Sequence, residues 1–344
     1  MLPWASELNG SVDEVTLNSE LLRGNPLGDP HVRPVWVHLP PEYDVDPTRR
    51  FPVVYLLMGY GGLLSTLRLR QPYAPSTVEV VDGVLGDPAT PSFITVYLDC
   101  WTAYGCGQYV DSPGTGRYHS FFCEEVVPFV DDRYRTIADR DHRAVTGKSS
   151  GGFGALVSSM LRPDLFSVLA THAGDALYET NYLREFGAAA RALREYDADI
   201  SKFWADFTSR PPFSKGSDQL LWLLLGISSC FSAADDGQVL LPFDPRTGRL
   251  RDEVWARWLA WDPVRMLEQP RFAEAMRSMR GIWIDAGRSD DYFLDLGAQA
   301  LADGLADCGL ADDVVSLNLV DANHWTISNQ VAPALRWVAQ RVAP

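Results

Sequence analysis

An α/β fold with a mostly parallel central sheet is what this sequence predicts, on three observations. Short apolar runs of strand length recur from Phe51 to Val320, helical patterns lie between most of them, and a long stretch from Asp175 to Gly281 interrupts the alternation once. Strands separated by helices run parallel, because the helical crossover returns the chain to the same edge of the sheet.

Within residues 12–49 the pattern predicts one or two extended segments, and His31–Leu39 (HVRPVWVHL) is rich in β-branched and aromatic residues. Pro40-Pro41 ends that run, since proline removes a ladder donor. Strands apolar on both faces are predicted at Phe51–Met58, Phe93–Asp99, Arg143–Gly147, Val168–His172, Ile282–Ala286 and Val314–Val320. Helices are predicted over Ser120–Val130, Phe153–Leu161, Leu294–Leu305 and Val331–Val342, which carry apolar stripes or strong helix formers. The interrupting stretch holds three aromatic or Leu-rich pieces, Phe203–Phe207, Leu220–Ile227 and Val254–Trp261. It reads as a helical insertion, residues 175–281, within one domain of residues 1–344. Extra helices packed on the sheet edge and a cap over an active site are both readings of it, and they are compatible.

The chain has 344 residues, 46% hydrophobic and 22% charged, which supplies a sizeable core and excludes low-complexity or disordered classes. A formal net charge of −15 repels phosphate backbones and anionic lipid, so neither nucleic acid nor membrane is expected as a partner. The longest apolar runs fall far short of the ~20 residues that span a bilayer. Met1–Gly10 carries Glu7 and no basic segment, so no secretory signal is expected. Five cysteines without a C-x-x-C pair fit a reduced, cytoplasmic setting. Oligomeric state is open, a homodimer included.

The strongest chemical signal is Gly147-Lys148-Ser149-Ser150-Gly151-Gly152. A G-x-S-x-G between a buried strand and a helix is the nucleophile elbow of α/β-hydrolases. The turn is tight, so glycines flank the serine, and the helix that follows aims free N–H groups at a developing oxyanion. Gly147-Lys148-Ser149 also matches the end of a phosphate-binding loop, but His142 stands where that loop's first glycine belongs.

A serine nucleophile needs a base and an orienting acid. His324, in Asp321-Ala-Asn-His-Trp325, lies just after the last predicted strand, where a loop borders the C-terminal edge of the sheet. His31, His38 and His142 fall in the wrong places, while His119 and His172 remain minor rivals as base. The acid is expected after Ile282–Ala286, in Gly287-Arg-Ser-Asp-Asp291, with Asp290 chosen and Asp291 in reserve. The order Ser149, Asp290, His324 is that of α/β-hydrolases. Met58-Gly-Tyr-Gly-Gly62 follows an earlier strand, and the backbone amides of Tyr60 and Ser150 are the expected oxyanion donors.

With these residues in view the chain resembles the putative-esterase family of α/β-hydrolases, which includes S-formylglutathione hydrolases, enterochelin-type siderophore esterases, feruloyl esterases and mycolyltransferases. The resemblance rests on Val35–Tyr43 (VWVHLPPEY), Phe51–Gly62 (FPVVYLLMGYGG), Asp99 with Tyr109–Gly114 (YVDSPG), and Glu124–Tyr134 (EEVVPFVDDRY). Gly147–Gly152, Gly287–Asp290 and His324-Trp325 complete it. It implies an α/β-hydrolase fold and a serine esterase in which Ser149 forms an acyl-enzyme on a small or medium ester, His324 moves the proton and Asp290 holds the imidazole. It implies no metal or organic cofactor. Two departures stand out: Met58 replaces the family's frequent His before Gly59, and Ser150 replaces the common Met after the nucleophile. The first removes a side-chain bond that would hold the loop, and the second adds a hydroxyl that could contact substrate.

An acyltransferase using the same three residues and a non-catalytic binding protein on the same fold are the competing readings. Trp204, Trp222, Trp255, Trp258 and Trp261 either line an acyl pocket or pack as core. Cys100 and Cys106, after a strand near the active edge, leave room for a thiol in the pocket wall.

Overall fold

The computed structural model describes residues 7–344, so the leader reading of Met1–Gly10 falls largely outside the described residues. Its centre is an eight-stranded sheet: β1 (Ser11–Asn18), β2 (Val32–Leu39), β3 (Val53–Leu57), β4 (Ile94–Leu98), β5 (Arg143–Lys148), β6 (Val168–His172), β7 (Gly281–Gly287) and β8 (Val315–Val320), in the order β1-β2-β4-β3-β5-β6-β7-β8. β1 and β2 pair antiparallel, β2 meets β4 antiparallel, and every pairing from β4 to β8 is parallel. With helices on both faces this is the α/β-hydrolase fold.

Each expected strand forms within about two residues of its predicted ends, because apolar runs bounded by turn residues have one way to bury both faces. The alternation of side chains then sorts the core into two layers. Val53, Tyr55 and Leu57 of β3 face one side, and Val54 and Leu56 face the other. The second layer is closed by α1 (Thr77–Leu85) and the C-terminal helix α10 (Val331–Val342), through Val78, Val81, Leu335 and Val338. The first is closed by a helical run over residues 118–133 ending in α2 (Val127–Arg133), by α3 (Ser150–Leu161) and by α9 (Leu294–Asp307). Within that run, residues 121–126 form a widened π-helical turn just before Pro128, which cannot donate to the residue four before it.

The chain between β6 and β7 folds into α4 (Phe186–Leu193), α5 (Ile200–Ser209), α6 (Asp218–Phe231), α7 (Asp252–Leu259) and α8 (Pro270–Arg277), together with shorter turns. The three aromatic pieces fall on α5, α6 and α7. Arg210 bonds both carboxylate oxygens of buried Asp218, at 2.6 and 2.7 Å, and so clasps α5 to α6. Asp262 accepts from the amides of Leu177 and Tyr178, which ties the insertion to the turn after β6. No helix among the described residues is long and apolar enough to cross a membrane.

At the far edge, buried His38 of β2 bonds Tyr97 of β4 and Asp82 of α1, and Asp82 also accepts from the amides of Asn9 and Gly10. Burial pushes the Asp82 carboxyl up, but these hydrogen bonds outweigh it and hold it below the usual range. A depressed carboxyl contributes stability above its unfolded value and loses it as pH falls through the folded one. Asp82→Asn should therefore cost about 2 kcal/mol near pH 7 in urea unfolding, and the deficit relative to wild type should shrink toward pH 3. An equal deficit at both pH values would contradict the assignment.

Candidate active site

Five parallel strands deliver the relevant side chains to one place, the C-terminal edge of the sheet, where ligands of open α/β sheets bind. Gly59 and Tyr60 follow β3, Ser149 follows β5, Asp175 follows β6, Asp290 follows β7 and His324 follows β8. All but Asp290 line one cavity of about 1090 Å³, and Asp290 stands directly behind its histidine.

Ser149 sits between the last residue of β5 and the first of α3 with φ 56° and ψ −125°, a backbone conformation that L-residues avoid. Two bonds over-determine it: its N–H donates to the His172 carbonyl at 2.9 Å, and its carbonyl accepts from Phe153 N at 2.9 Å. The flanking glycines are required by contact. A Cβ on Gly147 would stand 2.4 Å from the Gly151 backbone, and one on Gly151 would stand 2.2 Å from the Leu57 carbonyl oxygen. The helix therefore starts against the end of β3, and the amides of its first turn have no intrahelical partner.

His324 is buried, and its Nδ1 lies 2.8 Å from Asp290 Oδ2. Asp290 Oδ1 is fixed in turn by the amides of Tyr292 at 2.9 Å and Leu294 at 3.4 Å. Asn323 shapes the loop by accepting from the amides of Trp325 and Thr326. The reserve acid, Asp291, is exposed on the cavity rim and bonds no histidine; its carbonyl accepts from Arg184. Ser149 Oγ and His324 Nε2 share the cavity without a direct hydrogen bond, and such pairs commonly tighten only around substrate.

The turn after β3 is held without the family's histidine. Met58's carbonyl accepts from the Tyr109 hydroxyl at 2.8 Å, and the Tyr60 hydroxyl donates to the carbonyls of Tyr104 at 2.7 Å and Trp222 at 3.0 Å. The loop anchor expected to be lost at Met58 is thus supplied by two tyrosines. Gly59 packs against the elbow, with a Cβ there meeting Ser149 Cβ at 3.7 Å. The Ser150 hydroxyl accepts from Gln108 Nε2 at 2.8 Å and faces Asp175 Oδ2 at 3.4 Å, so it is engaged with protein groups rather than free for substrate.

The rival bases are accounted for elsewhere. His172 lies in the sheet with Nδ1 on Asp285 at 2.8 Å and Nε2 near Thr146 Oγ1 at 3.3 Å. His119 faces Cys123 at 3.6 Å, away from the cavity. No cysteine lines the cavity, which corrects the thiol-wall reading; burial pushes Cys123 and Cys230 up to about 12, so they pack as neutral thiols. Of the five insertion tryptophans, Trp222 and Trp258 reach the cavity wall, and the other three pack around it. Sequence reasoning missed Asp175, a lone carboxyl in a turn that no motif marks. Burial pushes it up to about 6, against the opposing effects of Tyr182 and His324.

The family model described as Putative esterase matches residues 30–307. Esterase Rv1288 of Mycobacterium tuberculosis strain H37Rv is 31% identical over 152 residues, 44% of this chain and 30% of that protein, so the match spans less than a third of this curated relative. Among solved structures, a ferulic acid esterase superposes with TM-score 0.60 at 18% identity, covering 97% of this chain and 99% of that one. An S-formylglutathione hydrolase from Agrobacterium tumefaciens gives 0.56 at 15% identity, covering 98% of each. The family model takes in both the glycine turn after β3 and the G-x-S-x-G bend, and the fold agrees with it along its length: the chain belongs to the esterase family and has the α/β-hydrolase fold.

Proposed function

We propose that this chain is a serine carboxylic-ester hydrolase that works through an acyl-enzyme. One observation carries the reading: a single cavity is lined both by a serine on a positive-φ bend and by a histidine whose Nδ1 is bonded to a buried aspartate at 2.8 Å.

The roles follow from the geometry. With Nδ1–H committed to Asp290, the neutral imidazole leaves Nε2 as the basic nitrogen facing the cavity. His324 takes the proton of Ser149 Oγ as that oxygen bonds to the ester carbonyl carbon. The resulting oxyanion accepts from the backbone N–H of Ser150, at the positive end of α3, and from that of Tyr60. Collapse breaks the ester C–O bond, and His324 returns the proton to the departing alcohol. Water then attacks the acyl-enzyme by the same route in reverse order and releases the acid. The Tyr60 side chain is buried and doubly bonded, so it serves as the anchor that presents its own amide.

The insertion acts as a cap in this reading. Trp222 and Leu224 of α6, Phe186 of α4 and Trp258 of α7 line the cavity, which supports an ester with an apolar or aromatic part. A volume of about 1090 Å³ suits a small or medium substrate. Five free cysteines support a cytoplasmic setting.

Ser149→Ala should lower kcat for p-nitrophenyl butyrate by about 10⁴-fold or more with the fold intact by circular dichroism. Activity within tenfold of wild type would overturn the nucleophile assignment. Asp290→Asn keeps the shape but favours the wrong imidazole tautomer, and should cost about 10³-fold or more in kcat, whereas Asp291→Asn should stay within a few-fold. The opposite ranking would move the orienting role to Asp291.

A further inference from the structure

Two polar groups on the cavity wall are buried and incompletely bonded. Asp175 is 6% exposed. Its Oδ2 receives the Tyr182 hydroxyl at 2.8 Å and the Ser150 hydroxyl at 3.4 Å, while its Oδ1 has no partner in the protein. The cations of the wall are engaged elsewhere: Arg184 with Glu185 and the Asp291 carbonyl, and Lys148 with Ser328 and the Trp325 ring. In the same wall Asn181 is 4% exposed, and its Nδ2 is buried without any partner.

The amide donor left unpaired costs free energy, and the carboxylate oxygen opens to the cavity with no partner in the protein. A ligand group that donates to the carboxylate oxygen and accepts from the amide gives each a partner. An ammonium would satisfy Asp175 and leave Asn181 unpaired, and an anionic group would meet the Asp175 charge. A hydroxyl answers both.

We propose that Asp175 and Asn181 form a hydroxyl-recognition subsite, in which an alcohol or phenol group of the substrate donates to Asp175 Oδ1 and accepts from Asn181 Nδ2. The proposal rests on the esterase reading above and narrows its substrate class to hydroxylated esters. Because Asp175 faces the hydroxyl of the residue next to Ser149, the subsite adjoins the reacting centre.

The test is a comparison of kcat/KM for matched esters that differ by one hydroxyl. On the acyl side these are p-nitrophenyl butyrate with 3-hydroxybutyrate, and p-nitrophenyl 3-phenylpropionate with 3-(4-hydroxyphenyl)propionate. On the alcohol side they are ethyl and 2-hydroxyethyl butyrate. Wild type should prefer the hydroxylated member of at least one pair by about tenfold or more, as sites built around a hydroxyl reject the analogue lacking it. Asp175→Asn and Asn181→Leu should each lower that ratio at least fivefold. The ratio cancels any effect common to both esters, including that of His324. A ratio near one for every pair in wild type, or a preference that survives in both variants, overturns the subsite.

Stability gives a second readout. A buried carboxyl with a raised pKa weakens the fold as pH rises through about 6, so Asp175→Asn should melt at or above the wild-type temperature at pH 7.5. A fall of several degrees would assign the carboxylate to holding the fold and contradict the proposal. Failure of the underlying esterase reading looks different: wild type would then hydrolyse neither member of any pair.

Discussion

The backbone of Ser149 is the constraint on which the site depends. Its φ of 56° is tolerated because the chain on either side leaves no alternative: Gly147 and Gly151 touch backbone to backbone, and Gly151 lies against the end of β3. The same contact brings the first turn of α3 beside the glycine turn after β3. The helix can approach the sheet there only because side chains are missing at Gly147 and Gly151. Strain at one residue is offset by the burial of α3 from Ser150 to Met160.

A parallel sheet turns that local geometry into a site. Successive strands end at the same edge, so residues remote in sequence arrive together: the turn after β7 brings Asp290, and the loop after β8 brings His324. Gly287 lets these two segments meet, since a Cβ there would stand 2.3 Å from the Ala322 carbonyl oxygen. The insertion between β6 and β7 adds the apolar wall. It is also bound to the glycine turn after β3, because the Tyr60 hydroxyl donates to a carbonyl of α6. Wall and turn are therefore joined by a buried hydrogen bond.

Much of this was legible in the sequence. The buried strands and the three aromatic pieces of the insertion emerge where apolar runs put them, because burial on two faces leaves a signal in composition. α1 leaves a weaker mark: Thr77–Leu85 is rich in valine and holds Gly83, which obscures helical character, and its start signal is the capping box at Ser76 and Glu79. Ser149, Asp290 and His324 could be singled out because each follows a strand in a fixed order. The anchoring of Tyr60, the pairing of His172 with Asp285, and the exposed oxygen of Asp175 have no such mark. They arise from packing between segments far apart in the chain, and only coordinates reveal them. The placement of tryptophans on the wall or behind it was similarly invisible, since both positions ask for the same residue type.

The central claim is that Ser149 is an activated nucleophile in the folded protein. Intact-mass spectrometry after treatment with a fluorophosphonate tests it most directly, with wild type and Ser149→Ala run in parallel. Wild type should carry a single adduct and the variant none. An unmodified wild type, or an adduct that persists in Ser149→Ala, would contradict it.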